Sequence, residues 1–143
     1  MSLFGAISVS ASGMEAQRYR AELLAENLAN SETTRTDEGG PYRRKDVVFE
    51  TAPVDAPFSS EFQAALDGVG VRVSDVVVDS RDPERRYLPG HPDADENGFV
   101  AFPRVDATAD MVDLMSAARG FQANVAAINA IKDMIHRSVD LLR

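Results

Sequence analysis

All seven prolines of this 143-residue chain (Pro41, Pro53, Pro57, Pro83, Pro89, Pro92 and Pro103) fall between positions 41 and 103. Proline inside a helix removes a hydrogen-bond donor and clashes with the preceding turn. Long helices are therefore confined to the two ends, and the middle must be built from shorter pieces. Three segments result, 1–30, 31–107 and 108–143. The fold class they predict is α+β: an antiparallel, coiled-coil-like pair of long terminal helices with a small β-rich middle domain inserted between them. Charge divides at the same points. Of the formal net charge of −8, residues 1–30 carry −1, residues 31–107 carry −7 and residues 108–143 carry 0. Nearly neutral ends can pack against many copies of themselves without strong self-repulsion, whereas an acidic middle belongs in solvent.

The C-terminal segment has the strongest period. Met111, Leu114, Ala118, Phe121, Val125, Ile128, Lys132, Ile135, Val139 and Leu142 follow at alternating steps of three and four, an a/d heptad broken only by Lys132. Thr108 is the expected N-cap. Asp110 and Asp113 lie near the positive end of the macrodipole, and His136, Arg137 and Arg143 near the other. At about 1.5 Å per residue this helix is roughly 50 Å long. A second apolar stripe, Gly120, Ala127, Ile131, Met134 and Leu141, runs beside the first. It can pack on the middle domain or meet another molecule. The second reading is preferred, because so long a helix overhangs the middle.

On the N-terminal segment Leu3, Ile7, Ala11, Met14, Ala21, Leu24 and Leu28 share one helical face, interrupted by Arg18. Gly5, Ser8, Ser10, Ser12 and Gly13 lower helix propensity in its first half. Such a helix needs a partner surface, and its first fifteen or so residues are expected to fray in a free monomer. Asn27 and Asn30 can end the helix, since asparagine caps well, or bond across to a neighbouring element; both roles can hold.

The middle reads as short β-branched strands over Asp46–Glu50, Val69–Val73 and Val76–Val78, with a fourth at Phe99–Phe102 and a short helix over Glu61–Leu66. Turns fall at Gly39-Gly40-Pro41, Pro89-Gly90 and Asn97-Gly98. A small twisted sheet is expected.

Little here points to chemistry. The acidic balance argues against nucleic acid, which needs clustered lysine and arginine. The Arg43-Arg44-Lys45 run is short, is followed by Asp46, and reads as a solvated turn. Without cysteine there are no disulfides or thiolate metal sites. His91, Asp93, Asp95 and Glu96 form the one site-like cluster, but their spacing matches no ligand pattern, and the flanking prolines and glycines make the segment a turn. No cofactor, metal, small-molecule substrate or catalytic residue is expected, and catalysis is unsupported. The first basic residue is Arg18 and no apolar run follows, so no cleaved secretory signal is expected; no stretch approaches the ~18 apolar residues of a membrane span.

Ile7-Ser8-Val9-Ser10-Ala11-Ser12-Gly13-Met14 followed by Asn27-Leu28-Ala29-Asn30-Ser31-Glu32-Thr33-Thr34 resembles the signature of the axial proteins of the bacterial flagellum, the rod and hook family. Gly39-Gly40-Pro41-Tyr42-Arg43-Arg44-Lys45 and the stretch from Pro89 to Val100 resemble its proximal-rod members. So do Asp110-Met111-Val112-Asp113-Leu114 and Ala118-Arg119-Gly120-Phe121-Gln122-Ala123-Asn124. The chain departs from the pattern at Arg104, where the family usually has Asn, and at Ala109-Asp110, where it usually has Glu before the Met.

The resemblance implies a structural subunit of the rod of the flagellar basal body, exported by the flagellar type III apparatus without a cleaved peptide. Its partners would be copies of itself and other rod proteins, in the periplasm. Its terminal helices would form the inner layer of the tube and transmit torque. The residues expected to carry that packing are Leu3, Ile7, Met14, Leu24, Asn27, Leu28, Asn30, Met111, Leu114, Phe121, Asn124, Val125, Ile128, Ile131, Ile135, Val139 and Leu142. The competing reading is a soluble coiled-coil adaptor or chaperone of a secretion system, which predicts a discrete dimer.

Overall fold

The computed structural model of the chain describes residues 3–53 and 69–141; the helix expected over Glu61–Leu66 and the seam residue Leu142 lie outside them. The elements, in order, are α1 (Leu3–Ala29), β1 (Lys45–Pro53), β2 (Val69–Val78), β3 (Glu84–Tyr87), β4 (Phe99–Phe102) and α2 (Ala107–Asp140). This is an α+β chain with one helix at each end and small antiparallel sheets between.

α1 forms in spite of its serines because their hydroxyls are absorbed by the helix itself. Ser8, Ser10 and Ser12 donate back to the carbonyls of Phe4, Ala6 and Val9 at 3.1, 2.9 and 2.8 Å, which removes the competition that usually makes serine a poor helix former. Asn30 stops the helix: its backbone N–H and its Nδ2 both donate to the Glu26 carbonyl, and its Oδ1 accepts from Thr33. α2 starts one residue earlier than expected, at Ala107. Its cap is Asp106 and not Thr108: Asp106 is extended, and its Oδ1 accepts from the N–H groups of Thr108 and Ala109 at 2.9 and 3.1 Å. A carboxylate there also meets the positive end of the helix dipole, which a threonine cannot do.

The two helices lie along each other and run antiparallel. Arg20 pairs with Asp113 at 3.1 Å, Gly120 faces Gln17, and Gly13 faces Asn124, so rising numbers on α1 meet falling numbers on α2. Approach is close at the glycines. A Cβ at Gly13 would stand 3.0 Å from Asn124 Nδ2, and one at Gly120 would stand 3.2 Å from the Gln17 side chain.

The seam this creates is not the expected one. On α2 the buried residues are Asp110, Ala117 and Ile131, continued by half-buried Leu114, Asn124, Ile128 and Ile135. That line keeps the expected d positions Leu114, Ile128 and Ile135, leaves Phe121 exposed, and replaces the a positions by the residue just before each. The stripe assigned to a neighbouring molecule is therefore partly internal. Ile131 is 8% exposed, and Gly120 packs on α1. The reason is size. Close helix approach selects small or hydrogen-bonding residues such as Ala117, Gly120 and Asn124, and a hydrophobicity pattern gives these little weight. α1 shows the same preference, burying Gly5, Ala16, Leu23, Leu24 and Asn27.

Among the described residues, the middle holds two two-stranded antiparallel sheets instead of one. In the longer, β1 pairs with β2 from Lys45↔Val78 to Pro53↔Val69, with an irregularity between Val48 and Phe49. The two valine runs predicted separately are one strand. Its Val71 N–H donates to Ser12 Oγ at 3.1 Å, so a serine of α1 occupies a donor on the ribbon. β3, Glu84-Arg85-Arg86-Tyr87, was not foreseen; all four residues are exposed, and pairing with β4 alone makes it a strand. Among the described residues, the buried side chains of the middle are Tyr42, Val100, Phe102 and Pro103.

Candidate functional site

A polar joint ties the helix pair to the start of β1. Asn27 is 0% exposed and bonds two neighbours through its amide. Its Nδ2 donates to the Lys45 carbonyl at 2.8 Å; its Oδ1 accepts from the Lys45 N–H and from the Tyr42 hydroxyl, each at 2.9 Å. The side chain thus copies the donor–acceptor pair of a neighbouring strand. Of the two asparagines at this helix end, Asn30 ends the helix and Asn27 bonds across. Burial, followed by the nearby charges of Glu26 and Asp110, pushes the Tyr42 hydroxyl up to about 12.

The joint has an ionic half. Arg44 donates to Asp110 at 2.9 Å and to Asp46 at 2.7 Å, and the Asp110 side chain is 1% exposed. Asp110 Oδ2 is buried with no hydrogen-bond partner, so Arg44 is the side chain that compensates a carboxylate taken out of water. Removing one member of such a pair costs far more than the pair contributes. Lys45 adds an ion pair to Glu26 at 2.6 Å. The basic run read as a solvated turn is thus the clamp between β1 and both helices. No local pattern marks it, since Arg44 and Asp110 are 66 positions apart.

Around the joint, the packing residues named from sequence divide by depth. Leu24, Asn27 and Ile131 are buried. Ile7, Met14, Leu28, Asn30, Leu114, Asn124, Ile128 and Ile135 are half-buried. Leu3, Met111, Phe121, Val125 and Val139 are exposed. α2 also turns Val112, Met115 and Met134 outward, and Leu141 follows at its C-terminal cap, with Met111 52% and Leu141 88% exposed. The antiparallel register brings Leu3 and Phe4 to the same end as Met134, Val139 and Leu141. Exposed apolar residues scattered singly are ordinary, but so many on one helix are not.

The His91 loop is occupied by its own turns. His91 Nδ1 accepts from the Asp93 N–H, Asp93 Oδ2 accepts from the Thr34 hydroxyl at 2.8 Å, and Asp95 Oδ1 accepts from the N–H groups of Asn97 and Phe99. Among the described residues no group of three His, Asp or Glu is placed to hold a metal ion, and no helix is long and apolar enough to cross a membrane.

The family model described as "Flagellar basal body rod FlgEFG protein C-terminal" matches residues 96–141, the end of the middle and most of α2. Full-length relatives are similar from end to end. The flagellar basal-body rod protein FlgC of Borreliella burgdorferi is 36% identical, over 100% of this chain and 99% of its own. That of Bacillus subtilis is 39% identical over 99% of each. That of Salmonella typhimurium is 39% identical over 99% of this chain and 98% of its own.

Proposed function

The chain belongs to the FlgC family of flagellar basal-body rod proteins and is a structural subunit of that rod; from that premise we propose that it polymerises through its terminal helices in the proximal rod and transmits torque there. It assembles with copies of itself and with other rod proteins. Its terminal helices act as a coiled-coil-like layer, with the acidic middle outside. The subunit reaches the periplasm through the flagellar type III export apparatus without losing a signal peptide. Its work is mechanical, and no catalytic residue is invoked.

The observation that supports this reading most is the apolar surface of α2, which leaves Met111, Val112, Met115, Phe121, Val125, Met134 and Val139 exposed. A subunit shared among several neighbours needs such a surface, and a solitary domain is destabilised by it.

The test is sedimentation of the purified chain over a range of concentrations, with circular dichroism in parallel. Mass and helix content that rise together with concentration are expected. A monomer at all concentrations with full helix content would overturn the reading, and a discrete dimer would favour the adaptor.

A further inference from the structure

The β3–β4 connection contains the only asparagine of the chain that is followed by glycine, Asn97-Gly98. Glycine carries no side chain to shield its amide nitrogen, which makes an Asn-Gly peptide the sequence most open to intramolecular attack. Asn97 is exposed, so nothing in its surroundings excludes water from the side chain. The backbone around it is another matter. Gly98 N–H donates to the Asp95 carbonyl at 2.9 Å, and the Gly98 carbonyl accepts from Leu88 N–H at 2.9 Å. Asp95 Oδ1 accepts from the N–H groups of Asn97 and Phe99 at 2.8 and 2.9 Å, and Asp95 N–H donates to the Phe99 carbonyl at 2.8 Å. Gly98 has φ +80, and a Cβ on it would stand 2.9 Å from Tyr87 Cε2. The peptide has neither a free proton on its nitrogen nor room to rotate.

We propose that Asn97-Gly98 is a spontaneous modification site that folding holds inert. In the unfolded chain the deprotonated Gly98 nitrogen attacks Asn97 Cγ. The new N–Cγ bond closes a succinimide; the Cγ–Nδ2 bond breaks, and ammonia leaves with the proton. Water then adds to one of the two ring carbonyls and opens the ring. One opening gives aspartate with the main chain intact. The other gives isoaspartate, in which the main chain runs through the former side chain and is one carbon longer. In the folded chain the attack needs the Gly98 N–H bond broken and the peptide turned, so its rate is set by local opening of the turn.

The two products differ in consequence. Aspartate at 97 leaves the Asp95 bonds in place. Isoaspartate lengthens the connection beside a glycine that has no slack, and Tyr87↔Phe99 is the first rung of the β3–β4 ladder. A register error there displaces Val100 and Phe102, two of the buried side chains of the middle. A chain that ages while unfolded therefore loses the ability to close this hairpin, whereas a folded one keeps it. This inference does not depend on the assembly reading.

The test incubates the full chain at mildly alkaline pH, folded in buffer and unfolded in urea, and follows the peptide containing Asn97 by mass spectrometry and by enzymatic methylation of isoaspartate. Modification in urea is expected at Asn97 ahead of Asn27, Asn30, Asn124 and Asn129. In the folded chain it should be at least about tenfold slower, because attack waits on turn opening. Asp95→Ala, which removes the bonds to Asn97 and Phe99, should raise the folded rate towards the unfolded one while leaving the rate in urea unchanged. Equal rates for the wild-type chain in the two conditions, or no reaction at Asn97 in urea, would overturn the proposal whether or not the variant folds.

Discussion

Replacing Asn27 by alanine tests the joint most directly, because three hydrogen bonds converge on one amide that is fully buried. The Tyr42 hydroxyl would be left buried without an acceptor, which costs about 1–3 kcal/mol. The N–H and carbonyl of Lys45 would lose their partners at a half-buried position, where water recovers part of the loss. Together these give about 3 kcal/mol, a large share of the ~5–15 kcal/mol that holds a typical domain together. The melting temperature should fall by roughly 6–12 °C. Urea unfolding at a concentration low enough to keep the chain monomeric measures this. Tyr42→Phe alone should cost only about 0.5–1.5 kcal/mol, since Asn27 Oδ1 keeps the Lys45 N–H; in the double variant the two losses should not add. Asn27→Asp keeps the acceptor but aims a lone pair at the Lys45 carbonyl and buries a charge. It should be worse than alanine at neutral pH and recover as acid protonates the carboxyl and restores a donor. If Asn27→Ala costs less than about 0.5 kcal/mol with an unchanged denaturant slope, or if aspartate is tolerated at neutral pH, the joint does not hold the fold.

Ile131→Asp should unfold the monomer or cost about 3–5 kcal/mol in urea titration, because it buries an unpaired charge in the internal seam; a stable monomer with blocked stacking would return Ile131 to an outer face. Val139→Asp, at an exposed position near the end of α2, should change monomer stability by under about 0.5 kcal/mol and weaken concentration-dependent assembly in sedimentation; unchanged assembly would remove that end of the helix from the contact. Tyr42 should show its phenolate absorbance step near pH 12. Because its folded pKa lies above its unfolded value, its contribution is intact below about pH 10 and is lost as pH rises from 10 towards 12; a step at 10 in the folded chain would contradict its burial.

What could be read beforehand was whatever leaves a local mark. Proline placement located both helices, and β-branching located β1, β2 and β4. The motif residues named the family. The fine positioning was not legible, for reasons that differ by residue. Ile131 looked like surplus apolar surface because Ala117 and Asn124, which share its seam, carry little weight in a pattern of greasy residues. β3 has no apolar alternation and exists only by pairing with β4. Arg44 looked like one more solvated cation, and its partner Asp110 lies beyond any local window. Asn27 was marked as able to bond outward, but that its target is Lys45 follows only from the way β1 returns over the helix end.

Which side chains face inward bears on how a rod can stay rigid. The helix pair is drawn together by Gly13, Ala16, Ala117, Gly120 and Asn124, residues whose burial stabilises little per contact but permits close approach. Met111, Met115, Phe121, Val125, Met134 and Leu141, which would each contribute about 1.5–3 kcal/mol if fully covered, stay on the outside. A solitary protein gains by the opposite arrangement. Here the pair is thin; Arg20 and Asp113 pair across it, and Asn27 ties α1 to β1 through Lys45. The larger apolar gain is left for neighbours to supply. On the proposed assembly through the helices, stiffness would grow with the number of subunits packed around each helix, and torque would be carried by surfaces that close only in the assembled rod.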